Sequence, residues 1–266
     1  MSSDRDGNVR AISRGLAVLQ AVNRGGSITM MDICRGANIP YPTACRIVQT
    51  LMDEGMIERE PARKRYRPTA LVRTLSFGYQ EDGDLVAVAR PHIVALTNRL
   101  SWPVAIATRV GPVMMVRDST HKLTSLTLHN YAPGFTLPII ECSTGKAYLA
   151  FCDEDERNGV LQGLRQMDGP AERMAVLLTS QGRMLQDIRA RGFATQARNT
   201  YTATPGKTSS IAVPLREHGR VIGALTLIFF ASAVSMKEAE GRFVAALQDT
   251  ANAIATDLGS IRTVAN

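Results

Sequence analysis

Residues 40–51 read Pro-Tyr-Pro-Thr-Ala-Cys-Arg-Ile-Val-Gln-Thr-Leu, and this stretch decides the fold of the N-terminal third. Pro42 suits the first turn of a helix, because its fixed φ is already helical and its missing N–H would have no intrahelical partner. Ala44, Ile47, Val48 and Leu51 then fall on one face, while Thr43, Arg46, Gln49 and Thr50 occupy the other. Such a helix packs on a core with one side and offers polar and cationic groups with the other.

Working upstream, Met30, Ile33, Cys34 and Ala37 recur at helical spacing behind Ser27, which is expected to cap that helix, and Asn38-Ile39-Pro40 ends it. An earlier helix carries Ile12, Leu16, Leu19 and Val22 on one side and stops at Asn23-Arg24-Gly25-Gly26. Downstream of Asp53-Glu54-Gly55, residues Ile57 to Glu60 and Arg65 to Pro68 read as two short strands around Pro61-Ala62-Arg63-Lys64. Two helices joined by a tight turn, followed by a β-hairpin wing, make a winged helix-turn-helix whose second helix enters the major groove of DNA. On that reading Thr43, Arg46 and Gln49 face base edges, with Thr50 beside them, and Tyr41, Arg63, Lys64 and Arg65 position phosphates.

The charge distribution agrees. The chain of 266 residues carries a formal net charge of +7. Residues 1–80 hold 12 Lys+Arg against 7 Asp+Glu, so most of the excess sits in under a third of the sequence. Between Arg59 and Arg73 six cations, Arg59, Arg63, Lys64, Arg65, Arg67 and Arg73, meet a single acid, Glu60. A cluster of this kind suits a polyanion, since each neutralised phosphate releases condensed counterions.

Composition excludes several classes. A 45% hydrophobic and 21% charged chain is neither collagenous nor disordered nor a bundle of membrane spans. The longest apolar stretch, Val221 to Val234, is broken by Gly, Thr and Ser and is shorter than the roughly 20 residues a membrane helix needs. The first ten residues lack an apolar signal core, so a cytoplasmic protein with no membrane partner is expected. Cys34, Cys45, Cys142 and Cys152 form no Cys-x-x-Cys pair, which predicts reduced, buried thiols and neither a metal site nor a cofactor.

An enzyme is the competing class. The chain has no Gly-x-Ser-x-Gly elbow, no His-Glu-x-x-His and no Gly-x-Gly-x-x-Gly. Gly206-Lys207-Thr208 imitates the end of a phosphate loop, but Tyr201 stands where its first glycine is required. Asp153-Glu154-Asp155-Glu156 reads as a solvated turn. No catalytic residue is assigned.

The remainder of the chain changes period. Thr69 to Tyr79 and Asp84 to Ser101 are helical in pattern, with a kink or fresh start expected at Pro91, and Leu71, Val72, Leu75 and Phe77 leave an apolar surface for another domain or subunit to cover. Residues 105–108, 113–116 and Leu123 to Leu128 then alternate as antiparallel strands. Helices over Ser143 to Cys152 and Glu172 to Arg191, strands over Ser209 to Arg216 and Arg220 to Phe230, and a helix from Ser235 to about Leu258 complete an α+β fold. Three segments follow: a DNA-binding domain over 1–78, connector helices over 79–101 and an antiparallel sheet domain flanked by helices over 102–266.

Arg14 to Leu19, Pro42 to Leu51 and Glu54 to Arg59 with Arg65-Tyr66-Arg67 closely resemble the winged helix-turn-helix of isocitrate-lyase-regulator (IclR) type transcription factors. The resemblance continues through Ala89-Arg90-Pro91-His92, Leu137-Pro138, Ser143 to Ala147 and Ser210 to Leu215. It departs at Pro42, where the family often has a serine whose hydroxyl contacts DNA. The resemblance implies a GAF-like sensory domain at the C-terminus and self-association into a dimer or tetramer through the N-terminal domain and connector. It also implies double-stranded operator DNA as a partner, with RNA polymerase a further one if the protein activates.

Effector residues are expected in three groups. The loop Tyr131 to Thr136 and the helix start at Ser143 and Thr144 would suit a carboxylate, because free amides and the helix dipole face it there. Family positions point to Gln196, Asn199, Ser210 and Thr226, while Ile228 replaces a further family hydroxyl and argues against a very small polar effector such as glyoxylate. Arg117, His121 and His129 would anchor an organic acid as buried cations. Residues 115–121, Leu128-His129 and 149–152 resemble the branch that controls degradation of phenylpropionate-like and other aromatic acids, so an aromatic carboxylate is expected; a small aliphatic acid is the alternative, and a catalytic GAF-like protein a more distant one.

Overall fold

The computed structural model describes residues 9–77, 84–127, 131–166, 183–202 and 204–264. The chain divides into two compact units, 1–81 and 82–266.

The first unit is built on α1 (Arg10–Gly25), α2 (Met30–Ala37) and α3 (Tyr41–Asp53). Val18, Leu19, Val22, Ile33, Val48 and Ile57 form its core. Ile12 and Leu16, expected on the inner face of α1, are instead exposed, because the first two turns of α1 extend past the core. The cap of α2 is Thr29, not Ser27. Thr29 Oγ1 accepts from the Asp32 amide at 3.2 Å while Asp32 Oδ2 accepts from the Thr29 amide at 3.1 Å, a reciprocal box that Ser27 cannot form with Met30 at the matching position. Those bonds hold the Asp32 carboxyl below its ordinary pKa. Residues 28 and 29 make the short strand β1 (Ile28–Thr29), which pairs with β3 (Arg65–Pro68), and β3 pairs in turn with β2 (Ile57–Arg59). The expected wing is thus a three-stranded antiparallel sheet in the order β1-β3-β2. Beyond it, Ala70–Ser76 is a 3-10 helix that packs Val72 on the core and leaves Leu75, 61% exposed, outward, with Phe77 after it 76% exposed.

The second unit has a six-stranded antiparallel sheet in the order β6-β5-β4-β9-β8-β7, with β4 (Val104–Val110), β5 (Val113–Ser119), β6 (Thr136–Pro138), β7 (Ala194–Gln196), β8 (Thr208–Glu217) and β9 (Arg220–Phe230). Alternation along the strands separates two cores. Ile106, Ile211, Val213, Leu225, Leu227 and Phe229 face α4 (Asp84–Leu100) and the C-terminal helix α8 (Met236–Val264). Ala107, Met114, Ala212 and Ala224 face α5 (Ser143–Phe151), α6 (Glu154–Arg165) and α7 (Arg183–Arg191).

Several expectations change here. Helix α4 packs on α8 and the sheet, and it runs unbroken through Pro91, where a kink or fresh start was expected, the proline ring lying on the exposed side. No strand forms over 123–127: His121–Leu123 is a 3-10 turn, and Thr124 Oγ1 instead donates to the Ser101 carbonyl at 2.5 Å. Strand β6 takes the edge place beside β5. The acidic run at 153–156 is the first turn of α6, where carboxylates meet the positive end of the helix. Of the helix expected over 172–191, residues 172–182 lie outside the described residues.

Candidate functional site

In the first unit, α3 presents Tyr41, Arg46, Gln49 and Thr50 on its exposed side, with Thr43 half-buried. Gln49 Nε2 donates to Asp53 Oδ1 at 2.7 Å, and Thr50 Oγ1 to the Arg46 carbonyl at 3.1 Å, so both side chains are held along the helix surface. Arg63 and Lys64 are exposed at the hairpin tip. Arg65 differs from them: it is half-buried, and its Nη1 donates to the Ser27 carbonyl at 2.8 Å, tying the wing to the start of α2.

In the second unit a narrow cavity of about 30 Å³ lies on the α5 side of the sheet. Ala105, Ala107, Met114, Val116, Leu137 and Ile228 form apolar walls, and Tyr131 closes one side. The polar wall comprises Cys142, Ser143, Thr144, Asn199, Thr208, Ser210 and Thr226. Ser143 Oγ lies 2.8 Å from Ser210 Oγ and 3.4 Å from Thr226 Oγ1, and Thr226 Oγ1 donates to the Ile211 carbonyl at 3.0 Å. Three hydroxyls from α5, β8 and β9 therefore form one chain. Asn199 Oδ1 accepts from the Tyr201 amide at 2.8 Å, which fixes the amide group at the cavity edge.

Five expected effector residues, Ser143, Thr144, Asn199, Ser210 and Thr226, share this cavity. Gln196, Arg117 and His121 are not among its lining. Gln196 Oε1 accepts from Lys146 Nζ at 2.6 Å. Arg117 occupies a β-bulge in β5, and His121 is buried in the following turn with Nδ1 3.3 Å from Ser119 Oγ. His129 lies outside the described residues.

Titratable groups near the cavity are tuned by burial. Burial pushes the Cys142 thiol up, and its sulfur accepts from Thr144 Oγ1 at 3.2 Å and the Gly145 amide at 3.4 Å, capping α5. A thiol held neutral there is a poor nucleophile. Desolvation lowers the Lys146 ammonium pKa. Among the described residues no group of three or more His, Cys, Asp or Glu could hold a metal ion, and no helix is long and apolar enough to cross a membrane.

Known proteins match both units. Residues 11–61 match the IclR helix-turn-helix domain, and residues 77–256, well over half of the chain, match the bacterial transcriptional regulator IclR C-terminal domain. The chain belongs to the IclR family. Its C-terminal unit is the effector-binding domain of these regulators. The regulator TsaQ1/TsaQ2 of Comamonas testosteroni is 26% identical over 61% of this chain and 59% of its own length, so the match spans under two thirds of that relative. The glycerol operon regulatory protein of Streptomyces coelicolor is 24% identical over 96% of this chain and 98% of its own. An IclR homologue from Microbacterium hydrocarbonoxydans, solved with 4-hydroxybenzoate, shares the fold at a TM-score of 0.63 and 23% identity, covering 94% of this chain and 99% of its own.

Sequence reading overlooked the apolar half of the IclR cavity. Ala105 and Ala107 on β4 alternate with Val104 and Ile106 of the opposite core, and Met114 and Val116 on β5 alternate with half-buried residues, so the period of two carried that signal. Thr208 and Cys142 had none, since their place depends on the pairing of β8 with β9 and on the approach of α5.

Proposed function

We propose that this IclR-family chain is a sequence-specific DNA-binding regulator, a dimer or tetramer in the cytoplasm, whose operator affinity responds to a small aromatic organic acid held in the cavity of the second unit. The observation that carries the reading is the pairing, in one chain, of a helix-turn-helix with a cationic hairpin tip and a buried cavity with apolar walls and a hydroxyl chain. Apolar walls favour a ring, and hydroxyls with the amides at the start of α5 suit its polar end. The 4-hydroxybenzoate held by the Microbacterium relative supports the same class. Ile228 makes the cavity less suited to a very small, highly polar acid such as glyoxylate. Arg46, Gln49 and Thr43 read base edges in this proposal, and Tyr41, Arg63 and Lys64 contact phosphates, with Arg65 bracing the wing.

Ile12, Leu16, Leu71, Leu75 and Phe77 expose a large apolar surface on the first unit, and a second copy is its proposed cover. Effector binding shifts the population of operator-competent assemblies. RNA polymerase is a further partner if the regulator activates. No catalytic step is assigned.

Mobility-shift titration of an operator duplex selected from a randomised pool, with and without 4-hydroxybenzoate and related phenolic acids, tests the reading. A change in operator affinity accompanied by calorimetric heat is expected. Protein that ignores every selected duplex at low salt would falsify it.

A further inference from the structure

We infer that Arg90 and Asp118 form the positioning pair through which the cavity is read by helix α4. This rests on the regulator reading above. Met114 and Val116 line the cavity, and Asp118, two residues further on, would face it too if β5 were regular. It does not, because the register with β4 jumps: Ala107 pairs with Val116, but Ile106 pairs with Asp118, which leaves Arg117 as the extra residue of a bulge. The bulge turns Asp118 to the side of Ile106, which packs in the core shared with α4.

There Asp118 meets Arg90. Arg90 Nη1 donates to Asp118 Oδ1 at 3.0 Å, to Oδ2 at 3.2 Å and to the Ser119 carbonyl at 3.2 Å, while Asp118 Oδ1 also accepts from the Ser119 amide at 2.7 Å. Two turns along the same face of α4, Thr97 Oγ1 lies 2.6 Å from Thr120 Oγ1, which in turn accepts from the Val104 amide at 2.9 Å. Residues 118–120 are thus bonded to α4 at two points.

The consequence is a short mechanical path. Val116 and Ala105 touch the cavity, and Asp118 and Thr120, on the far side of the bulge, hold α4, the helix that follows the DNA-binding unit in sequence. A group filling the cavity presses on β5 beside its most deformable point. The bulge also removes a carboxylate from a cavity that would otherwise repel an organic acid. Arg90 acts on the response and not on ligand contact, so it is a positioning residue.

A double-mutant cycle tests this without depending on the identity of the effector. Val116→Phe and, independently, Ser210→Phe place a ring in the cavity. Each is expected to change operator affinity, measured on a selected duplex, by at least about fivefold in the parent protein. In an Arg90→Gln or Asp118→Asn background the same substitution is expected to change it by less than about twofold, and Arg90→Lys is expected to restore the response. Thermal melts establish that each variant is folded, and the second filling variant stands in if the first is not. An undiminished response in the Arg90→Gln background overturns the inference, as does no response to either ring in the parent. Failure of the unmodified chain to bind any selected duplex would sink the regulator reading itself.

Discussion

The hydroxyl of Ser143, the first residue of α5, lies 2.8 Å from that of Ser210 on β8, joining segments 67 residues apart at the cavity wall. Thr226 Oγ1 already donates to the Ile211 carbonyl, so with Ser143 donating to Ser210 the Ser210 hydrogen is the one left to direct into the cavity. Ser210→Val keeps the shape and removes that donor. Calorimetric affinity for 4-hydroxybenzoate is expected to fall by about tenfold, the effect of one lost hydrogen bond of roughly 1.4 kcal/mol. Unchanged affinity would remove Ser210 from the binding surface.

Two cations of the first unit should behave differently. Arg46 is exposed on α3 and Arg63 at the hairpin tip. Arg46→Ala is expected to lose about 1–3 kcal/mol of discrimination at one base pair if it reads a guanine. Arg63→Ala is expected to weaken all sequences alike and to reduce the slope of log affinity against log salt by about 1. Fluorescence anisotropy on matched and mismatched duplexes over a salt series separates the two. Equal loss on every sequence from Arg46→Ala would make it a phosphate contact.

The first unit was legible because its signals are local. Period, caps and turns place α1 to α3 and the wing within a few residues, and even the missed cap had a signal in the Thr29 and Asp32 spacing. In the second unit the strands β8 and β9 announced themselves by alternation, while β6 and β7, at three residues each, are too short to do so. Arg117 and His121, expected as cation anchors, are not in the cavity lining: alternation from Met114 and Val116 sends Arg117 to the other face, and His121 follows the strand in a 3-10 turn. The bulge that redirects Asp118 had no signal, since no residue type at 116–118 demands one.

Gly145 is set by packing. It sits in the first turn of α5, where an added Cβ would overlap the Ile139 carbonyl. The obstacle is backbone and cannot swing aside, so Gly145→Ala must displace α5 from the turn before it, moving Ser143 and Thr144 with it. Destabilisation of about 3 kcal/mol or more is expected in urea unfolding. Gly159→Ala, with nothing within 4 Å of the added carbon, is the control expected to change stability little or to raise it.

Tyr148 provides a signature in alkali. Its hydroxyl donates to Glu156 Oε1 at 2.5 Å, and Arg109 Nη2 binds the same oxygen at 2.9 Å. Burial, reinforced by the hydrogen bond to Glu156, pushes the Tyr148 phenol up to about 12. Below pH ~10 the phenol is protonated in both folded and unfolded chains, and its contribution is complete. From there to about pH 12 the unfolded chain releases the proton first, so stability falls as pH rises, by about 2 kcal/mol at most. Tyr148→Phe is expected to lose that alkaline slope. It should also cost about 1 kcal/mol at neutral pH, because Glu156 keeps Arg109 as a partner. Denaturant titrations of both proteins between pH 8 and 12 check the sign: a slope that survives in the variant would assign the alkaline loss to another buried phenol, such as Tyr131, whose pKa burial also raises.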